Sequence, residues 1–211
     1  MGKQLWTFIS YLFHPALMPT VAVLVVLWCD PNLSSLFFNE KSLLIVVAAI
    51  LACTYILPLL VNYVLLLFNK ISSLSNPTRT DRLYMLSFAA PFFILGYYAF
   101  HSIPSMGESL KVFMLGLNIS LIITLIATMF TKVSFHSVGA GGLLGTVIGL
   151  MKYTQQHLIM WLLGAFAIVI LTALSRYKLK AHEPFDIYLG LMIGIAVQSL
   201  VLFFGVHQMV L

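Results

Sequence analysis

Apolar runs of about 20 residues, the length of helix that crosses a bilayer, recur along this chain with only short polar breaks between them. No other feature restricts the fold so severely, because backbone inside hydrocarbon must satisfy its own hydrogen bonds, which a run of this length does as a helix. The runs read as spans over residues 8–28, 42–68, 83–100, 110–130, 138–151, 158–174 and 185–204. The expected fold is an all-α integral membrane protein, a helical bundle of about six to seven spans forming one domain over residues 1–211. A soluble domain is excluded: 61% of the residues are hydrophobic and 8% charged, against roughly half and a quarter in soluble proteins.

The first run carries Pro15 and Pro19 and should bend there. Lys3 precedes it and no small-residue cleavage pattern follows, so it reads as a retained span. Cys29 and Cys53 lack CxxC spacing and fall in or beside apolar runs, which makes them packing residues. His14, His101, His157 and His207 stand at span ends or in loops and read as interfacial, and Asn118 as an interhelical hydrogen bond. Gly141, Gly145 and Gly149 are spaced four apart, and Gly190 and Gly194 repeat the spacing, so the fifth and seventh spans should pack closely.

The net charge is +5, but the basic residues sit in short loops, so anionic lipid headgroups are the expected partner and nucleic acid is not. Counting crossings brings residues 69–82, 131–137 and 175–186 to one membrane face. In the last of these, Arg176, Lys178, Lys180, His182, Glu183 and Asp186 crowd between two apolar runs. A helix starting near Pro184 would carry proline in its first turn, where its missing N–H costs nothing. Asp186, four residues after His182, would then hold one imidazole N–H and leave the other nitrogen outward. Arg176 adds a planar donor fork suited to phosphate, and the helix N-terminus adds free N–H groups. The segment reads as an anion site with a poised histidine.

Ser175-Arg176, His182 and Asp186 keep the spacing of a motif of the type 2 phosphatidic acid phosphatase superfamily, Ser-Arg, five residues, His, three residues, Asp. The resemblance implies that His182 attacks phosphorus to form a phosphohistidine, that Asp186 orients it and that Arg176 binds the phosphoryl oxygens. The family's first motif is Lys, six residues, Arg-Pro; here Lys70 and Arg79 are eight residues apart and Thr80 follows. Arg79 and Arg82 also read as two forks meeting one phosphate. The second motif, Pro-Ser-Gly-His, is met by His136-Ser137-Val138-Gly139, which keeps Ser137 and puts Gly139 in the histidine column. His136, about one helical turn earlier, is positioned either to supply that histidine's proton or to bond a backbone carbonyl at the interface.

The leading expectation is a metal-independent membrane phosphatase for a lipid phosphate or diphosphate, without cofactor. Its catalytic residues would be His182, Asp186 and His136, and its phosphate ligands Arg176, Arg79, Arg82, Lys70 and Ser137. Two alternatives stand beside it. One is a protein that binds a phospholipid or polyprenyl phosphate without turnover; the other is a metal-dependent transferase using His136, His182 and Asp186 as ligands, for which the aspartate-rich motifs are absent. Counting Lys and Arg per loop puts the site face inside, whereas bacterial members of the resembled family mostly face away from the cytoplasm. Either orientation places the chain in a bacterial plasma membrane.

Overall fold

A computed structural model describes residues 2–29, 40–74, 77–103, 106–151 and 158–205. The helices are α1 (Lys3–Leu12), α2 (Met18–Cys29), α3 (Glu40–Leu51), α4 (Leu57–Leu67), α5 (Arg79–His101), α6 (Glu108–Thr128), α7 (Phe135–Leu150), α8 (Ile159–Lys178) and α9 (Pro184–Gly205). A π-helical turn, Ala52–Ile56, joins α3 to α4. No strand occurs among the described residues, and the chain is an all-α membrane bundle. Among the described residues five helices are long and apolar enough to cross a membrane: the run Leu43–Leu67, then α5, α6, α8 and α9. The apolar helices α2 and α7 are shorter.

The expected first span, 8–28, is two helices instead of one bent one. Pro15 disfavours helical backbone at His14, and α1 ends at Leu12. The chain restarts at Met18 with Pro19 in the first turn of α2. At ten residues α1 is about 15 Å long, too short to cross.

The second span is continuous but carries a wide turn, for which Pro58 is the reason. Pro58 has no N–H for the carbonyl of Thr54, and its ring crowds that carbonyl. The backbone opens into π geometry over Ala52–Ile56 and resumes as α4 with proline at its start. The turn aims Thr54, fully buried, so that its hydroxyl donates to the Ile50 carbonyl at 2.8 Å. It also sets Tyr55 edge-on against His14, ring centres 5.5 Å apart.

The third span starts at Arg79, one turn earlier than the apolar run suggests. Thr78 and Asp81 form a capping box, each side chain taking the other's backbone N–H at 3.2 and 2.9 Å. Asp81 also accepts from the Ser72 backbone and hydroxyl at 3.1 and 2.5 Å. The box ties the 69–82 segment down and winds Arg82 into the first turn of α5.

Glycines set the contact between α7 and α9. A Cβ on Gly141 or Gly145 would lie 2.6 Å from the carbonyl oxygen of Leu191 or Ile195, and one on Gly190 2.7 Å from that of Ser134. The two backbones touch directly, as the four-residue spacing of glycines implies. Asn118 reaches from α6 to the Phe93 carbonyl of α5 at 3.2 Å, the interhelical bond expected of it. The core gathers Val23, Val26, Ile50, Leu110, Phe113, Met114, Leu150 and Leu202, all essentially sealed. Large apolar side chains such as Leu44, Phe130 and Met160 face outward, as they can where the surrounding solvent is lipid. Cys29, buried, and Cys53, partly buried, form no disulfide among the described residues.

Candidate anion-binding site

The three polar segments meet at one end of the bundle, tied by hydrogen bonds that cross from each to the next. Arg82 is 4% exposed; its Nη1 donates to the Val133 carbonyl at 3.1 Å and its Nε to the Pro77 carbonyl at 3.4 Å. The guanidinium lies 5.1 Å above the Phe135 ring. Its Nη2 is 3.4 Å from His182 Nε2. On the other side of the imidazole, His182 Nδ1 is 2.9 Å from the Lys132 carbonyl oxygen. A carbonyl only accepts, so Nδ1 carries the proton and Nε2 presents its lone pair toward Arg82. Burial first, then the charges of Arg82 and Arg176, push the His182 pKa down to about 3. The imidazole is neutral at neutral pH.

Arg176 ends α8 with its guanidinium turned inward: Nη1 donates to Ser10 Oγ at 2.7 Å, and the buried Nε has no partner among the described residues. Ser10 Oγ is in turn 3.3 Å from His136 Nε2. His14 stands edge-on to His136, ring centres 5.7 Å apart. Its pKa is lowered by burial and by the charge of Arg176. Helix α1 is held in this arrangement by a second bond, from Ser175 Oγ to the Trp6 carbonyl at 2.9 Å.

These groups ring the mouth of a cavity of about 230 Å³ whose walls are mostly apolar. Arg82, Met85, Ala89 and Phe93, one per turn, line it from α5. Thr124, Ser120, Leu117 and Phe113 do the same from α6. Arg82 and Phe93 are eleven residues apart, so the cavity is a shaft about 16 Å deep along α5. His14, His136, Arg176 and His182 share its polar end with Arg82. The fully buried Gln198 lies at the far end with Phe93 and Phe113.

Five corrections to the sequence reading follow from this geometry. Asp186 does not hold His182. The helix begins at Pro184, so His182 precedes it and the four-residue rule for helical neighbours does not apply to the pair. The Asp186 carboxylate accepts instead from Thr131 Oγ1, while its backbone carbonyl accepts from the Ser134 N–H at 3.2 Å. Asp186 therefore steadies the 131–137 segment, and the imidazole is oriented by a main-chain carbonyl. Lys70 and Arg79 are exposed and do not line the shaft, Arg79 because it occupies the first outward position of α5. Ser137 is buried with its hydroxyl on Ser134 Oγ at 2.9 Å; it belongs to the start of α7 and not to the cavity. His14, read as interfacial, is at the site because the backbone break before α2 turns it inward. Ser10 was invisible in the sequence, being a lone hydroxyl in an apolar run; only the fold brings it to Arg176.

The remaining histidines divide. His101 stacks on Tyr97 at 5.4 Å, away from the shaft; His157 and His207 lie outside the described residues. Gly139, in the resembled motif's histidine column, is tightly packed: a Cβ there would meet the Pro15 carbonyl oxygen at 3.0 Å and Met18 Cγ at 3.1 Å. Among the described residues no cluster of three His, Cys, Asp or Glu side chains is disposed to hold a metal ion. No family model, curated protein or solved structure matches the chain.

Proposed function

We propose that the chain is a membrane phosphatase that removes phosphate from a lipid phosphate or diphosphate through a phosphohistidine at His182. One observation carries this reading: Arg82 and Arg176, both buried, make hydrogen bonds only to neutral groups and form no salt bridge among the described residues. The Asp186 carboxylate offsets the charge of Arg82 only in part; buried charge without full compensation costs several kcal/mol, and an arriving phosphoryl group would offset the rest with two bidentate partners. The apolar shaft below them suits the lipid's chain, and the neutral imidazole between them suits attack.

In this mechanism the Nε2 lone pair of His182 forms the N–P bond while the bond to the leaving oxygen breaks. Arg82 and Arg176 carry the charge spread over the phosphoryl oxygens, the task a metal performs elsewhere. His136, bridged through Ser10 to Arg176, would relay a proton from water to the leaving oxygen. Water then cleaves the phosphohistidine. The resembled family's spacing at Ser175, Arg176, His182 and Asp186 supports the same chemistry, and a bacterial plasma membrane is the setting it implies.

The experiment is phosphate release from a panel of lipid phosphates and diphosphates by purified protein in detergent with chelator, beside His182→Ala. Release that survives chelator and falls at least a hundredfold in the variant is expected. A second reading has its own support, since glycine at 139 supplies no acid in the family's histidine column and Asp186 is engaged by Thr131. It is a site that holds lipid phosphates without turning them over. Tight binding with no release from any member of the panel would establish it and overturn the phosphatase.

A further inference from the structure

The floor of the shaft is not apolar. Gln198 is fully buried; its Nε2 donates to the Phe113 carbonyl at 3.4 Å, and its Oε1 has no hydrogen-bond partner among the described residues. The hydroxyl of Ser120, 6% exposed, likewise has none among them. Both line the shaft. Gln198 is twelve residues beyond Asp186 on α9, about 18 Å deeper. Ser120 stands one helical turn from Gly116, the residue against which Gln198 Oε1 packs. Two helices therefore deliver a hydrogen-bonding group to one depth, where plain hydrocarbon would leave both unsatisfied. The place for the amide is made by Gly116, since any Cβ there would collide with Gln198 Oε1.

We propose that this floor is a second binding subsite, which accepts a hydrogen bond from a hydroxyl carried near the end of the ligand's chain. The proposal rests on the reading of the mouth as a phosphate site. Its ligand class is a lipid phosphate bearing a hydroxyl about a dozen bonds from phosphorus, taking roughly 1.2 Å per bond of extended chain. Gln198 Oε1 accepts the hydroxyl proton, and the hydroxyl oxygen accepts from Ser120. A plain chain leaves both groups unsatisfied whether or not it reaches the floor, and a chain with a hydroxyl at that depth satisfies them.

The test uses the whole protein in detergent and four non-hydrolysable probes, with binding read by titration calorimetry. These are dodecylphosphonate, 12-hydroxydodecylphosphonate and the corresponding eight-carbon pair. The hydroxylated twelve-carbon probe should bind roughly tenfold more tightly than its plain counterpart, with no such preference in the shorter pair. Gln198→Leu should abolish the preference while leaving dodecylphosphonate binding intact. Ser120→Ala, a milder change, should weaken the preference severalfold and serves if the first variant does not fold. Equal affinities for the twelve-carbon pair, with binding still lost in Arg82→Ala, overturn the floor subsite alone. A preference that survives Gln198→Leu together with Ser120→Ala, or that appears equally at eight carbons, also overturns it. Failure of every phosphonate to bind removes the phosphate reading and the floor subsite with it.

Discussion

Two guanidiniums buried within reach of each other repel, and desolvation adds to the cost, so each must be held by geometry the fold can sustain. Arg82 is held by two carbonyls, an imidazole and an aromatic face, an arrangement that needs the planar fork. Lysine has three donors on one atom and cannot reach these groups together. We expect Arg82→Lys to weaken phosphonate binding by at least tenfold with the bundle still folded, which calorimetry and circular dichroism together would show. His182 sets a pH dependence. Its folded pKa of about 3 lies below the ordinary value of 6.5, so between these values the unfolded chain binds the proton more readily. Stability from this group is complete above pH 6.5 and is lost as pH falls toward 3, by about 2 kcal/mol at pH 5. Thermal melts at pH 7 and pH 5 should show this loss for the wild type and a smaller one for His182→Gln. The convergence of Arg82, Arg176 and His182 was legible in sequence because charge beside apolar spans needs a reason. The partner of His182 was not, because it is a carbonyl, and no residue type advertises its main chain.

At the scale of elements, apolar length gave the spans to within a few residues, and the failures are local chemistry at their ends. The capping box at Thr78 and Asp81 draws Arg82 into α5, and Pro15 cuts the first span in two. Pro58 widens the second span without breaking it, an outcome decided by whether neighbouring backbone can open into a π turn. The glycine spacing was legible because it encodes backbone contact directly. It yields a paired prediction. Gly194→Ala sets a methyl against the backbone of Val138 and Gly142 and should destabilise by about 1–3 kcal/mol. Gly164→Ala, on α8, meets nothing within 4 Å and should be neutral or stabilising by up to about 1 kcal/mol. Denaturant or thermal unfolding of the two variants side by side checks both.

For the whole molecule, the parity of crossings put three distant segments at one end, and the hydrogen bonds from Arg82 to Val133 and His182 join them there. In a background lacking Cys29 and Cys53, cysteines introduced at Lys70 and Lys180, both exposed, should label from the same side of sealed vesicles. A cysteine at Ser102, at the other end of α5, should label from the opposite side; one shared side for all three would refute the arrangement. The bond from Arg176 to Ser10 closes 166 residues of chain, and that from Arg82 to His182 closes 100. Contacts so remote in sequence form late, since loop closure must precede them. The helices that carry Ser10 and Arg82 are made long before α9, and through that interval the groups of the candidate site are scattered. A half-built chain consequently lacks the assembled pair of guanidiniums and the imidazole, and a ligand-induced rise in melting temperature would count finished bundles only.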